Sequence, residues 1–162
     1  MSCWRRGAVT CAVVLVYLAT ACGGGAAEID SPEVGPDDRR TCQELLDSLP
    51  DTLASQPQRD VEPADALGAA WGDPAITLTC GVALPAEYDE FSSCEEANGV
   101  GWFLPPEQIE DQGLDVTFTA VGYRPLVQVR VPSSYRPEGP ASVIVELGPV
   151  VQDQLELVQD CR

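Results

Sequence analysis

The apolar run from Gly7 to Ala21 constrains this chain most, because it divides the sequence into a part that is removed and a part that folds. Crossing a bilayer core as a helix takes roughly twenty apolar residues, and this run has about fifteen. It is preceded by Arg5 and Arg6 and closes on small residues, the layout of a secretory signal. Leu18-Ala19-Thr20-Ala21-Cys22 resembles the lipobox of bacterial lipoproteins, so residues 1–21 are expected to be a signal peptide and Cys22 the first residue of the mature chain. Its thiol would then carry acyl chains, each buried CH₂ contributing about 0.8 kcal/mol of membrane affinity. The bland alternative is an ordinary cleaved signal with Cys22 incidental. Trp4 and Gly7 fit twin-arginine export poorly, which favours the general secretory route.

Export places the remaining chain where thiols oxidise, so Cys42, Cys80, Cys94 and Cys161 are expected to form two bridges. Residues 22–162 suffice for one domain of ordinary size. The stretch "CGGGAAEIDSPEVGPDDRR" holds only Ile29 and Val34 as sizeable apolar groups, and it reads as a flexible tether over residues 22–40. The folded domain is then residues 41–162.

The net charge is −17, with 26 acidic residues against nine basic ones, and residues 1–21 contain two of the basic residues and none of the acidic ones. A field of that sign repels polyanions, which excludes nucleic acid as a partner and adsorption to anionic lipid. Attachment to a membrane has to come from the lipid anchor. All nine basic residues are Arg, and the chain has neither Lys nor His. That removes Ser-His-Asp and Cys-His machinery, His-ligated metals, Schiff bases and the phosphate-loop lysine. No cofactor is implied.

Thr41-Cys42-Gln43-Glu44 fits a capping box, and Cys42, Leu45, Leu46, Leu49 and Leu53 follow at helical spacing, with Pro50 as a stop. "SQPQRDVEPADALGAA" reads as a connection with a short extended piece near Val61. Residues 75–82 alternate Ile76, Leu78, Cys80 and Val82 against Thr77 and Thr79, a half-buried strand. Residues 100–104 form a second. Residues 116–120 and 127–131 alternate similarly and make a hairpin through Gly122–Pro125. The segment from Ala141 to Val158 keeps helical spacing through Ile144, Leu147, Val151, Leu155 and Val158, with a break expected at Gly148-Pro149. The fold class is therefore α+β: about four mostly antiparallel strands with an N-terminal and a C-terminal helix on one face. The Thr-rich face of that sheet is left wet or open to a partner.

The blocks "WGDPAITLTCGV" (71–82), "ANGVGWF" (97–103) and "FTAVGYRPLVQVRVPSSY" (118–135) resemble the domain-of-unknown-function family 3515, small actinobacterial secreted proteins or lipoproteins. The resemblance implies an envelope protein of a high-GC Gram-positive organism and carries no assigned activity, ligand or catalytic residue.

Four cysteines permit three pairings. Cys42 on the apolar face of a helix and Cys80 on that of a strand meet where those faces pack, which leaves Cys94 for Cys161; the rival joins Cys42 to Cys161 and Cys80 to Cys94. The acidic clusters "YDEFSSCEE" and "PEQIEDQGLD" lack the EF-hand pattern and read as solvated surface, so no metal is expected. Trp71, Trp102 and Phe103 stand beside Gly-rich turns, where aromatics can be displayed to a sugar or protein, but in a chain with only ten aromatics such residues more often belong to the core. The functional expectation is a non-catalytic lipoprotein at the extracellular face of the cell membrane that binds or scaffolds an envelope protein or glycan. The alternative is a carboxylate-dependent hydrolase of envelope glycans, which needs two acids about 5–10 Å apart across a cleft.

Overall fold

Alternation of β-branched and hydroxyl residues builds the centre of the molecule. In a computed structural model, which describes residues 25–161, Ile76–Cys80 and Val127–Val131 pair antiparallel with Val129 opposite Leu78. Val116–Thr119 joins the other side, Phe118 opposite Val129. Side chains of one parity therefore share a face, and Ile76, Leu78, Cys80, Val116, Phe118, Val127, Val129 and Val131 are all buried in one core.

In chain order the elements begin with β1 (Ala27–Glu28), α1 (Pro36–Asp47), β2 (Thr52–Leu53), β3 (Gln56–Arg59), β4 (Val61–Glu62), β5 (Gly68–Trp71) and β6 (Ile76–Cys80). They continue with β7 (Cys94–Ala97), β8 (Val100–Phe103), α2 (Pro106–Glu110), β9 (Val116–Thr119), β10 (Tyr123–Arg124) and β11 (Val127–Val131). A 3-10 turn (Ser133–Glu138), α3 (Ala141–Gln154) and β12 (Glu156–Leu157) complete the chain. The main sheet has eight strands in the order β2-β3-β5-β6-β11-β9-β8-β7, every neighbouring pair antiparallel. Both α1 and α3 bury side chains in the same core as its apolar face: Cys42 and Leu45 from α1, and Val143, Ile144, Leu147 and Val151 from α3.

The protein is thus α+β with a mostly antiparallel sheet, but the sheet has twice the expected strands. β5, Gly-Ala-Ala-Trp, shows no alternation because it is buried on both faces. β7, Cys-Glu-Glu-Ala, is acidic and is held by its hairpin: Asn98 and Gly99 have φ of 47° and 77°, the pair of left-handed residues a two-residue turn requires.

The expected tether is corrected over residues 25–40. Ala27 and Ile29 are buried, the Ala27 N–H donates to Asp60 O (2.8 Å), and the Leu67 N–H donates to Ser31 Oγ (2.6 Å). Ile29 rests on Gly68, where an added Cβ would come within 2.9 Å of it, and Val34 rests on Gly81. The segment is a strap along the β5–β6 hairpin. Its low apolar content sufficed because its two large aliphatic residues meet glycines. The strap also covers part of the Thr-rich face expected to be open, with Ile29 seated on Gly68 opposite Thr79. Elsewhere on that face Thr119 is buried opposite Phe103, Thr77, Thr79, Thr117 and Gln128 are half-buried, and Arg130 is exposed.

Two helix boundaries are also corrected. α1 starts at Pro36 with Gly35 before it and Asp37 and Asp38 in its first turn, favourable chemistry at the positive end of a helix. Thr41 lies inside the helix and its hydroxyl donates to Asp37 O (3.2 Å), so it is no cap. α3 runs through Pro149 unbroken and ends at Gln154. Pro149 cannot donate to the Val145 carbonyl, and the Asn98 side-chain amide does so instead (2.7 Å). Gly148 lets that turn approach, since a Cβ there would sit 3.1 Å from Ala97 O and from Asn98 Cβ.

Candidate functional site

The aromatic residues considered for recognition are in the core. Trp71 and Trp102 have no exposed surface and Phe103 is 2% exposed. Trp71 sits opposite Ile76 on the sheet's apolar face and donates its indole N–H to Pro50 O (2.9 Å). Phe103 points to the other face, where with Val121 and Leu126 it forms a second small core and packs edge-on against Tyr88. The Gly-rich turns beside these residues signal close packing of backbone, not display. Burial thus supports the core reading of Trp71, Trp102 and Phe103 over their alternative role as a recognition surface.

The disulfides join Cys42 to Cys80 and Cys94 to Cys161, with Cα–Cα distances of 5.7 Å and 5.8 Å. The first lies wholly buried between α1 and β6. The second fastens the C-terminal tail to the start of β7. Cys22 lies outside the described residues.

The acidic clusters stabilise their own loops. Asp89 Oδ1 accepts from the Phe91 N–H (2.9 Å) and the Ser92 hydroxyl (3.0 Å), and Asp111 Oδ1 accepts from the Gly113 N–H (2.8 Å). Among the described residues no group of three or more His, Cys, Asp or Glu side chains gathers as metal ligands would, and no helix is long and apolar enough to cross a membrane.

An apolar groove of about 510 Å³ lies between α2, α3 and strands β7 and β9 of the sheet. Leu104, Val116, Phe118 and Ile144 line it, and Ile109 of α2 and Val145 of α3 also line it, with 52% and 44% of their surface exposed. A larger hollow of about 610 Å³ lies over β3 and β5, but Gln58, Arg59 and Asp60 make much of its wall and no large apolar side chain on it is exposed.

The groove's short helix is laced down on two sides. The Thr117 N–H donates to Gln108 Oε1 (2.7 Å), tying α2 to β9. Arg136 donates from Nε to Gln112 Oε1 (3.2 Å) and from Nη2 to the carbonyls of Gln108 and Asp111, where the last carbonyls of a helix lack partners. Asp115 accepts from the Ser133 N–H (2.8 Å) and pairs with Arg130, which fixes the start of β9 against the 3-10 turn. The one basic side chain in the groove wall is thereby occupied with backbone carbonyls, while Glu95 and Glu96 line the groove exposed and Glu107 and Glu110 are exposed on α2. The groove is apolar within and acidic at its margin.

Sequence reading missed α2, because "PEQIEDQGLD" reads as a solvated acidic run. The signal was present in Pro105-Pro106 followed by Glu107: proline is favoured in the first helical turn and an acid there complements the helix dipole.

No curated protein and no solved structure matches the chain. The model of one family, described as protein of unknown function (DUF3515), matches residues 7–159, and the chain belongs to that family.

Proposed function

We propose that this protein is a non-catalytic lipoprotein, anchored through Cys22 at the outer face of the cell membrane, that captures a polypeptide segment of an envelope partner in the groove between α2 and α3. The groove's composition carries this reading. Apolar Ile109 and Val145 are held open to solvent by a helix that Gln108 and Arg136 secure, and the acids at the margin select a segment whose apolar residues are flanked by Arg or Lys. A glycan site would instead display aromatic faces and polar side chains, and the aromatic candidates are in the core. The absence of His and Lys from the sequence supports a binding role over a catalytic one.

The test uses the purified folded domain and a synthetic peptide of alternating Leu and Arg pairs, followed by fluorescence anisotropy. Ile109→Arg removes an exposed apolar contact and adds repulsion. Loss of about 50–100 Å² of apolar burial plus a like charge weakens binding roughly tenfold or more, with the unfolding midpoint unchanged. Equal affinity of Ile109→Arg and the parent contradicts the groove as the site. Turnover of purified cell-wall glycan that disappears in Glu95→Gln contradicts the non-catalytic reading.

A further inference from the structure

The strap fixes where the chain enters the domain. Gly25 O accepts from Arg59 Nη2, and the same guanidinium donates from Nη1 to Gly72 O (2.7 Å) and stands 3.7 Å from Asp73 Oδ1. Gly25 is therefore held at the β5–β6 turn. Two residues on, Ala27 and Glu28 line the same hollow as Pro74 and Ala75, and β1 pairs in parallel with β4. From there the chain runs the length of the hairpin, past Gly68 at Ile29 to Gly81 at Val34. Buried Ile29, the Ile29 N–H donating to Glu62 O (3.0 Å) and the Ser31 bond to Leu67 hold it along the way.

Two residues lie between Cys22 and Gly25, and covalent geometry limits the three Cα–Cα steps to about 11 Å. We infer that the β5–β6 turn, Gly72 to Ala75, is the membrane-facing end of the domain, with a lipid bilayer as the partner of that end. The inference rests on the proposed acylation of Cys22. A leash of that length, attached to an entry point that is itself fastened by hydrogen bonds and apolar burial, removes the freedom a long tether would have given. Electrostatic attraction plays no part, since the protein is strongly acidic. The loop from Gly81 to Ser93, leaving β6 at its other end and carrying Phe91 at 86% exposure, then faces away from the bilayer.

The full chain, extracted from producing cells and reconstituted into phosphatidylcholine vesicles with a nitroxide on the lipid headgroup, tests this directly. A coumarin amino acid is incorporated at position 73 or at position 91, both exposed. The ends of a domain of this size lie roughly 30 Å apart, so the fluorophore at 73 is expected to be quenched at least about threefold more than the one at 91. Inserting about twenty Gly and Ser residues between Gly24 and Gly25 gives the leash a reach of roughly 25 Å and should bring the ratio close to one. Equal quenching at 73 and 91 without the insert, on a chain whose Cys22 is acylated, overturns the orientation and leaves the anchor standing. A chain with a free Cys22 thiol that does not float with the vesicles overturns both.

Discussion

Replacing Trp71 with Ala is expected to remove about 3–5 kcal/mol of folding stability, the cost of emptying a large buried aromatic site. Trp71 has no exposed surface, its cross-strand partner Ile76 is a core residue, and its indole N–H satisfies the Pro50 carbonyl that follows α1. Truncation leaves both a cavity and an unpaired carbonyl. Against a typical total of about 5–15 kcal/mol, such a loss brings a domain of this size close to unfolding. Urea denaturation of the oxidised protein should show a much lower midpoint with an unchanged slope. A variant that keeps its midpoint within about 1 kcal/mol of the parent would contradict the core assignment, since exposed substitutions fall within that range.

Cys42→Ala combined with Cys80→Ala is expected to cost about 4 kcal/mol, from the loop-closure entropy of a 38-residue separation. This bridge fastens α1 to the central strand β6. The rest of α1's hold on the core comes chiefly from Leu45, which is fully buried, and from partly buried Leu46. Removing the bridge should therefore loosen α1 before the sheet, giving early loss of amide protection over residues 36–47 in hydrogen exchange. The Cys94–Cys161 bridge closes a longer separation of 67 residues but has both cysteines partly exposed. Mild dithiothreitol should open it first, because exchange requires access to a sulfur. Peptide mapping after partial reduction distinguishes the two, and free Cys42 and Cys80 thiols appearing before those of Cys94 and Cys161 would contradict the burial described.

What was legible in the sequence follows from the physics of each element. β6, β9 and β11 alternate because one of their faces is buried against α1 and α3, and that period of two survives in the sequence. β5 is buried on both sides and β3 is polar, so neither carries the signal. The β2–β3 turn was unreadable for a different reason. Ala54 and Ser55 both have left-handed φ, 48° and 64°, in place of the Asn-Gly pair such turns favour, and the Ala54 N–H is held by Glu146 Oε2 (3.1 Å) from α3. Only a residue distant in sequence makes that turn acceptable. The same holds for Pro149, a break by local rules that Asn98 repairs from the β7–β8 hairpin. The groove was invisible because Ile109 reads as an isolated apolar residue in an acidic run, and its significance depends on Val145 standing across from it. The aromatics were readable as core: adjacency to glycine records how closely backbones pack, and in this chain the glycines beside Trp71 and Trp102 make room for Tyr135 and Gln56 and for the Cys161 backbone.

The anchor is the claim on which both the proposed role and the membrane-facing orientation depend, and the mass of the native N-terminal peptide decides it. Protein isolated from the membranes of the cells that make it is digested and its first peptide fragmented. The peptide is expected to begin at Cys22 and to carry a diacylglyceryl group on the thiol. A peptide that begins elsewhere, or that begins at Cys22 with an unmodified thiol, contradicts it.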